Sequence, residues 1–114
     1  MHELSVVQAF VSMAEKYAAQ NPDEKVSFIT IEIGEMTGIE PKYFKSYYPE
    51  VAEGTLLEGS ELIIEEKEAL AFCRECGHTF NPAKEGKTCL GCGKSNYEIV
   101  EGNKVLFKEI GFET

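Results

Sequence analysis

The sequence predicts an α+β chain: two helices packed on a three-stranded mixed sheet, with a small four-cysteine module inserted before the last strand. Three observations carry this. Apolar residues recur at helical steps near the start of the chain, and a strand, a helix and a strand follow in order. All four cysteines then crowd into one stretch between the second strand and a closing apolar strand.

Residues 3–20 read as an amphipathic helix, because Leu4, Val7, Phe10, Val11, Ala14, Tyr17 and Ala18 gather on one face at steps of three and four. Asn21-Pro22 stops it, since proline disfavours helical geometry in the residue before it. Lys25 to Ile33 is rich in β-branched and aromatic residues, with Ile29, Ile31 and Ile33 on one face of a strand. Gly34 to Gly38 reads as a loop. Pro41 suits the first turn of a second helix that turns Phe44, Tyr47, Tyr48 and Val51 inward. Pro49 predicts a kink or an early end there. Glu61 to Glu68 is a second strand with Leu62 and Ile64 inward. A strand, helix and strand over this length favours a parallel crossover pair. After the cysteines, Tyr97 to Val100 forms a short strand and Gly102-Asn103 a turn. The last strand, Lys104 to Phe112, changes phase: Val105 and Phe107 share one parity, Ile110 and Phe112 the other. That jump predicts a β-bulge near Lys108-Glu109. Its simplest place is the edge of the sheet begun by the first two strands. The chain therefore divides into residues 1–70 plus 102–114, and an insertion of residues 71–101.

The insertion carries Cys73-Arg-Glu-Cys76 and Cys89-Leu-Gly-Cys92, two pairs with twelve residues between them, each followed at once by glycine. Two cysteines three apart can share one ion if the backbone curls tightly between them, and the glycine allows the positive φ that such a curl requires. This is the spacing of a tetrahedral tetrathiolate site, zinc-ribbon-like, with zinc expected at Cys73, Cys76, Cys89 and Cys92. Iron remains the rival metal, because rubredoxin-type sites use the same knuckles. Disulfides need an oxidising compartment, and the N-terminus lacks a basic region followed by an apolar core. His78 lies two residues past a knuckle and could substitute for a thiolate under stress or pH change, but four thiolates already complete the shell and such a neighbour usually faces solvent.

Twenty acidic residues against eleven basic ones give a formal charge of −9. That surface suits cations and basic partners and disfavours nucleic acid. No apolar run reaches the length of a membrane span, so a soluble, cytoplasmic protein without a membrane partner is expected. A nucleic-acid-binding ribbon would need a basic, aromatic face, and the only lysines in the cysteine insertion are Lys84, Lys87 and Lys94. No catalytic motif is present: there are two histidines, no Gly-x-Ser-x-Gly and no His-Glu-x-x-His. Four sulfurs leave a bound metal no open position, so a structural role is expected and no enzyme. At the other end, Met1-His2-Glu3 sets an imidazole beside the terminal amine, and neither position 2 nor position 3 is proline. Amine, imidazole and backbone amide nitrogens can surround a metal in a plane, the geometry of Ni(II) and Cu(II).

Both ends together carry a resemblance. Met1-His2-Glu3-Leu4-Ser5, Glu32-Ile33-Gly34-Glu35, Gly54-Thr55-Leu56, Gly59-Ser60-Glu61-Leu62, the two cysteine knuckles and Lys108-Glu109-Ile110 resemble the HypA/HybF family, in the family's order over the whole chain. These are nickel metallochaperones of nickel–iron hydrogenase maturation. The resemblance implies Ni(2+) as transient cargo, bound through the Met1 amine, His2 and the Glu3 backbone amide, and Zn(2+) as a structural ion on the four cysteines. For some members it implies a further carboxylate at the position of Glu40, where aspartate is the better-known residue. It implies as partners the nickel-dependent GTPase HypB, the hydrogenase large-subunit precursor and, for some members, urease maturation. Glu35 belongs to the family pattern and reads as a loop or cap residue.

Overall fold

A computed structural model describes residues 3–113. The first helix, α1 (Glu3–Ala19), is followed by β1 (Lys25–Gly34), a short 3₁₀ turn (Glu35–Thr37) and α2 (Pro41–Ala52). Then come β2 (Glu61–Lys67), β3 (Leu70–Cys73), β4 (Thr79–Phe80), α3 (Pro82–Glu85), β5 (Tyr97–Glu101) and β6 (Val105–Glu113). The strands form two three-stranded sheets, in the orders β2-β1-β6 and β4-β3-β5. The first is mixed: β1 runs parallel to β2 and antiparallel to β6. It is also discontinuous in sequence, because β3, β4, α3 and β5 intervene between β2 and β6.

The two helices cover the face of this sheet that carries Ile29, Ile31 and Ile33, and their core holds Val7, Val11, Ala14, Phe44, Tyr48 and Leu57. Each fully buried Val, Leu, Ile or Phe contributes about 1.5–3 kcal/mol relative to leaving it in water. Tyr17, read from its spacing as inward, is 46% exposed. It lies over the rim of the sheet instead, its ring stacked on Phe107 at 5.7 Å. The predicted early end at Pro49 does not occur. That proline leaves the Lys45 carbonyl without its helical donor and crowds it, yet α2 continues to Ala52, which stays buried with Tyr48 and Phe44.

The parity jump in β6 is a bulge. Thr30 faces Glu109 while the next residue, Ile31, faces Phe107, so Lys108 is the extra residue. A second irregularity lies on β1, where Val26 faces Phe112 and Phe28 faces Gly111, leaving Ser27 over. Gly111 is required there, since a Cβ on it would come within 2.0 Å of the Phe28 ring.

The second sheet holds a much smaller core of Ala71, Cys73, Phe80 and Cys89, with Tyr97 packed edge-on against Phe80 at 5.4 Å. Sequence reading resolved only β5 of its elements, because β3 and β4 are too short to show an alternation. α3 does carry a start signal. Asn81 caps it, its Oδ1 accepting from the N–H groups of Ala83 and Lys84 at 2.9 and 3.2 Å, and Pro82 occupies the first helical position. The Glu85 carboxylate returns to the Asn81 N–H at 2.8 Å, in the manner of a capping box.

Candidate metal centres

Each cysteine pair sits on a tight knuckle, and the two knuckles repeat one hydrogen-bond pattern. Gly77 donates its N–H to the Cys73 carbonyl at 2.9 Å, and Gly93 to that of Cys89 at 2.7 Å. The Cys73 and Cys89 N–H groups in turn donate to the His78 and Lys94 carbonyls, both at 2.9 Å. Each loop closes on a glycine with φ of +80° and +73°, a conformation costly for any side chain. The sequence spacing is thereby converted into position: β3 delivers Cys73, and the four sulfurs lie within 4.8 Å of one another.

Two Sγ separations are 3.6 Å, Cys73 to Cys92, and 3.5 Å, Cys76 to Cys89. A disulfide would need about 2.05 Å, and all four cysteines are free thiols. With Zn–S bonds of about 2.3 Å, a tetrahedron has sulfur–sulfur edges of about 3.8 Å. The donor set therefore fits a tetrahedrally coordinated ion. Thiol ionisation is uneven in the absence of a cation. Backbone N–H donation, from Cys76 first and also from Glu75, holds Cys73 down to about 7 despite its burial. Cys76 receives a similar donation from His78, yet the neighbouring sulfurs and burial outweigh it and push the thiol up to about 12. Four sulfurs this close cannot all ionise without a positive charge among them, which a divalent cation supplies. His78 is exposed, and its contribution to the knuckle is a backbone carbonyl.

At the other candidate centre, Met1 and His2 lie outside the described residues. Glu3 opens α1, and its Oε2 accepts from the Glu40 N–H at 3.3 Å. Two residues 37 apart in sequence are thus brought together at the adjoining starts of α1 and α2. Glu40 is exposed and precedes Pro41 at the head of α2, its carbonyl accepting from Tyr43 and Phe44 at 3.1 and 3.2 Å.

Glu35, expected as a loop or cap residue, proves to join the two regions. The Glu35 Oε1 accepts from the Ala69 N–H and from Asn81 Nδ2, both at 2.9 Å. Neither partner is near it in sequence, so only the fold discloses the contact. The Ala69 bond first, then Asn81, with Lys84 nearby, holds this carboxyl below the usual carboxylate range.

Among the described residues no helix is long and apolar enough to cross a membrane. Comparison with known proteins agrees over the whole chain. Residues 1–112 match the family model described as "Hydrogenase/urease nickel incorporation, metallochaperone, hypA". The hydrogenase maturation factor HypA of Francisella philomiragia is 35% identical over 112 residues, covering 98% of this chain and 99% of its own. That of Aquifex aeolicus is 32% identical over 113 residues, covering 99% and 98%. The solution structure of the Ni metallochaperone HypA from Helicobacter pylori matches with a TM-score of 0.70 at 27% identity, over 98% of this chain and 97% of that one. A second solution structure of a HypA protein gives 0.73 at 26% identity, over 99% and 97%. With its two sheets, its four gathered thiols and a family match along its full length, the chain belongs to the HypA family of nickel-incorporation metallochaperones, which are not enzymes.

Proposed function

We propose that this chain binds Ni(II) at its N-terminus and delivers it, with a HypB-type GTPase, to the hydrogenase large-subunit precursor, and that it serves urease maturation by the same site. The ligands are the Met1 amine, the His2 imidazole and the Glu3 backbone amide, with the Glu40 carboxylate adjoining. The observation that supports this reading is the Glu40 N–H donating to Glu3 at 3.3 Å, which sets the head of α2 beside the residue that follows His2. Planar nitrogen donors suit Ni(II) and Cu(II), and of the two the family description names nickel. A site at a chain terminus leaves room for an incoming ligand of the acceptor, so the ion can pass by exchange. Zn(II) held by Cys73, Cys76, Cys89 and Cys92 has no open position and acts as a fold-holding ion. Residues 1–70 with 102–114 then form the nickel-binding unit and residues 71–101 the zinc-binding unit, in a cytoplasmic protein whose thiols stay reduced.

Calorimetric nickel titration of untagged protein tests the terminal site against His2→Ala and against a variant extended by two residues at the N-terminus. Both variants should lose nickel affinity by at least about tenfold, the change expected when a metal site loses a supporting group. Equal binding by all three would falsify the assignment. Because the nitrogens must be deprotonated, wild-type affinity should fall as pH drops below about 6.5, the ordinary imidazole value. The colour of the purified protein separates the two candidate ions of the thiolate site: colourless for zinc, red for iron.

A further inference from the structure

The two hydrophobic clusters share no residue. Beside their junction opens a cavity of about 480 Å³ lined by Ile39, Glu40, Glu66, Glu68 and Lys84 as well as Glu35. Backbone and polar contacts cross the junction. The segment Gly34–Met36, at the end of the central strand, grips both connections to the cysteine module. On the outgoing side Glu35 holds the Ala69 N–H. On the returning side Met36 donates its N–H to the Gly102 carbonyl at 2.8 Å, and Gly34 to that of Lys104 at 2.9 Å. Of these three residues, Glu35 alone also reaches inside the module, to the side chain that caps α3.

We infer that Glu35 is a positioning residue: its carboxylate fixes the orientation of the cysteine module on the helix-covered sheet, so that a docking partner meets both as one rigid surface. The orientation stands on the geometry alone, while the partner's need for it rests on the function proposed above. One oxygen takes both donors, so the link acts as a bracket between the outgoing connection and the module's own helix cap. The neighbouring Lys84–Glu68 pair, at 2.6 Å, spans the same gap and, like the Glu35–Asn81 bond, is exposed, but it lacks the part-buried backbone anchor that Glu35 has at the Ala69 N–H. Water screens such pairs, which makes it a weak restraint.

Residual dipolar couplings measured on the zinc-loaded chain test this. Wild type should fit one alignment tensor across both sheets. Glu35→Ala should need two, with smaller couplings in the cysteine module, while Glu35→Gln, which keeps an acceptor oxygen, should return to one. Asn81→Asp keeps the helix cap but loses the donor and opposes two carboxylates, so it too should need two tensors. Combining it with Glu35→Gln restores a donor–acceptor pair and should restore one tensor. Metal content near one zinc per chain, by mass spectrometry, shows that each variant keeps its module folded. A single tensor for both Glu35→Ala and Asn81→Asp overturns the inference. Nickel titration of Glu35→Ala should match wild type, and absence of nickel binding in wild type would instead count against the terminal site.

Discussion

Gly102 and Gly59 have nearly the same backbone, φ +80° and +81°, yet their surroundings differ. A Cβ on Gly59 would meet nothing within 4 Å, whereas on Gly102 it would lie 2.6 Å from the Ala69 Cα and 2.7 Å from the Glu68 carbonyl oxygen. Gly59→Ala should therefore cost only the conformational strain, about 1 kcal/mol. Gly102→Ala adds a backbone clash that no rotamer relieves, and should cost about 2–4 kcal/mol in urea unfolding. Glu35 gives a second prediction at this scale. Its carboxyl is held below the ordinary value, by the Ala69 N–H first and Asn81 second. A depressed carboxyl contributes stability that is fully present above its unfolded value of about 4.3 and is lost as pH falls through the lower folded value. In an NMR titration of side-chain carboxyl carbons, Glu35 should protonate below about 4.3. Asn81→Asp, which removes a donor and adds a like charge, should move it upward.

Among the elements, α2 shows how packing decides what a local signal leaves open. Pro49 interrupts its hydrogen-bond ladder, but Phe44 is fully buried on the same face as Tyr48 and Ala52, so the apolar stripe carries the helix past the break. Phe44→Ala should cost about 3–5 kcal/mol, whereas Leu106→Ala, at a site 41% exposed on β6, should stay within about 0.5–1 kcal/mol. Differential scanning calorimetry of the pair checks this ordering, and comparable losses would contradict it. The same contrast governs what could be read in advance. The bulge at Lys108 was legible because the apolar parity of a single strand records it. The one at Ser27 was not, because it answers to Phe28 lying over Gly111 on another strand. The thiol cluster was legible because two short-range knuckles fix it. Glu35 was silent because its partners stand 34 and 46 residues away, and no periodicity encodes such a distance. The cap at Asn81 did have a local signal, Asn-Pro followed by Glu85, but four helical residues are too few to show a period.

At the scale of the whole molecule, the chain is elongated, 57 × 23 × 16 Å, with an apolar core toward one end and a thiol cluster toward the other. The two cores differ greatly in what they can support. Among the described residues, the larger unites α1, α2 and three strands around thirteen buried residues, enough apolar surface for a small domain to stand by itself. The smaller has four, and two of those are cysteines whose burial is useful only when their charge is balanced. In a module of this size metal binding is itself most of the folding free energy. Stripping the metal proposed for the four thiols with a strong chelator under reducing conditions should therefore melt β3, β4 and β5 and leave β1, β2 and β6 folded. Amide hydrogen exchange reads the two sheets separately. Protection at Ala71, Phe72 and Ile99 should collapse on chelation, while that at Ile29, Ile31 and Phe107 should change by less than about tenfold, equivalent to about 1.4 kcal/mol. On the function proposed above, nickel titration of the metal-stripped chain should then remain near wild type. Loss of protection in both sheets together would mean that the larger core depends on the ion after all, and that the junction at Gly34, Glu35 and Gly102 transmits folding as well as orientation.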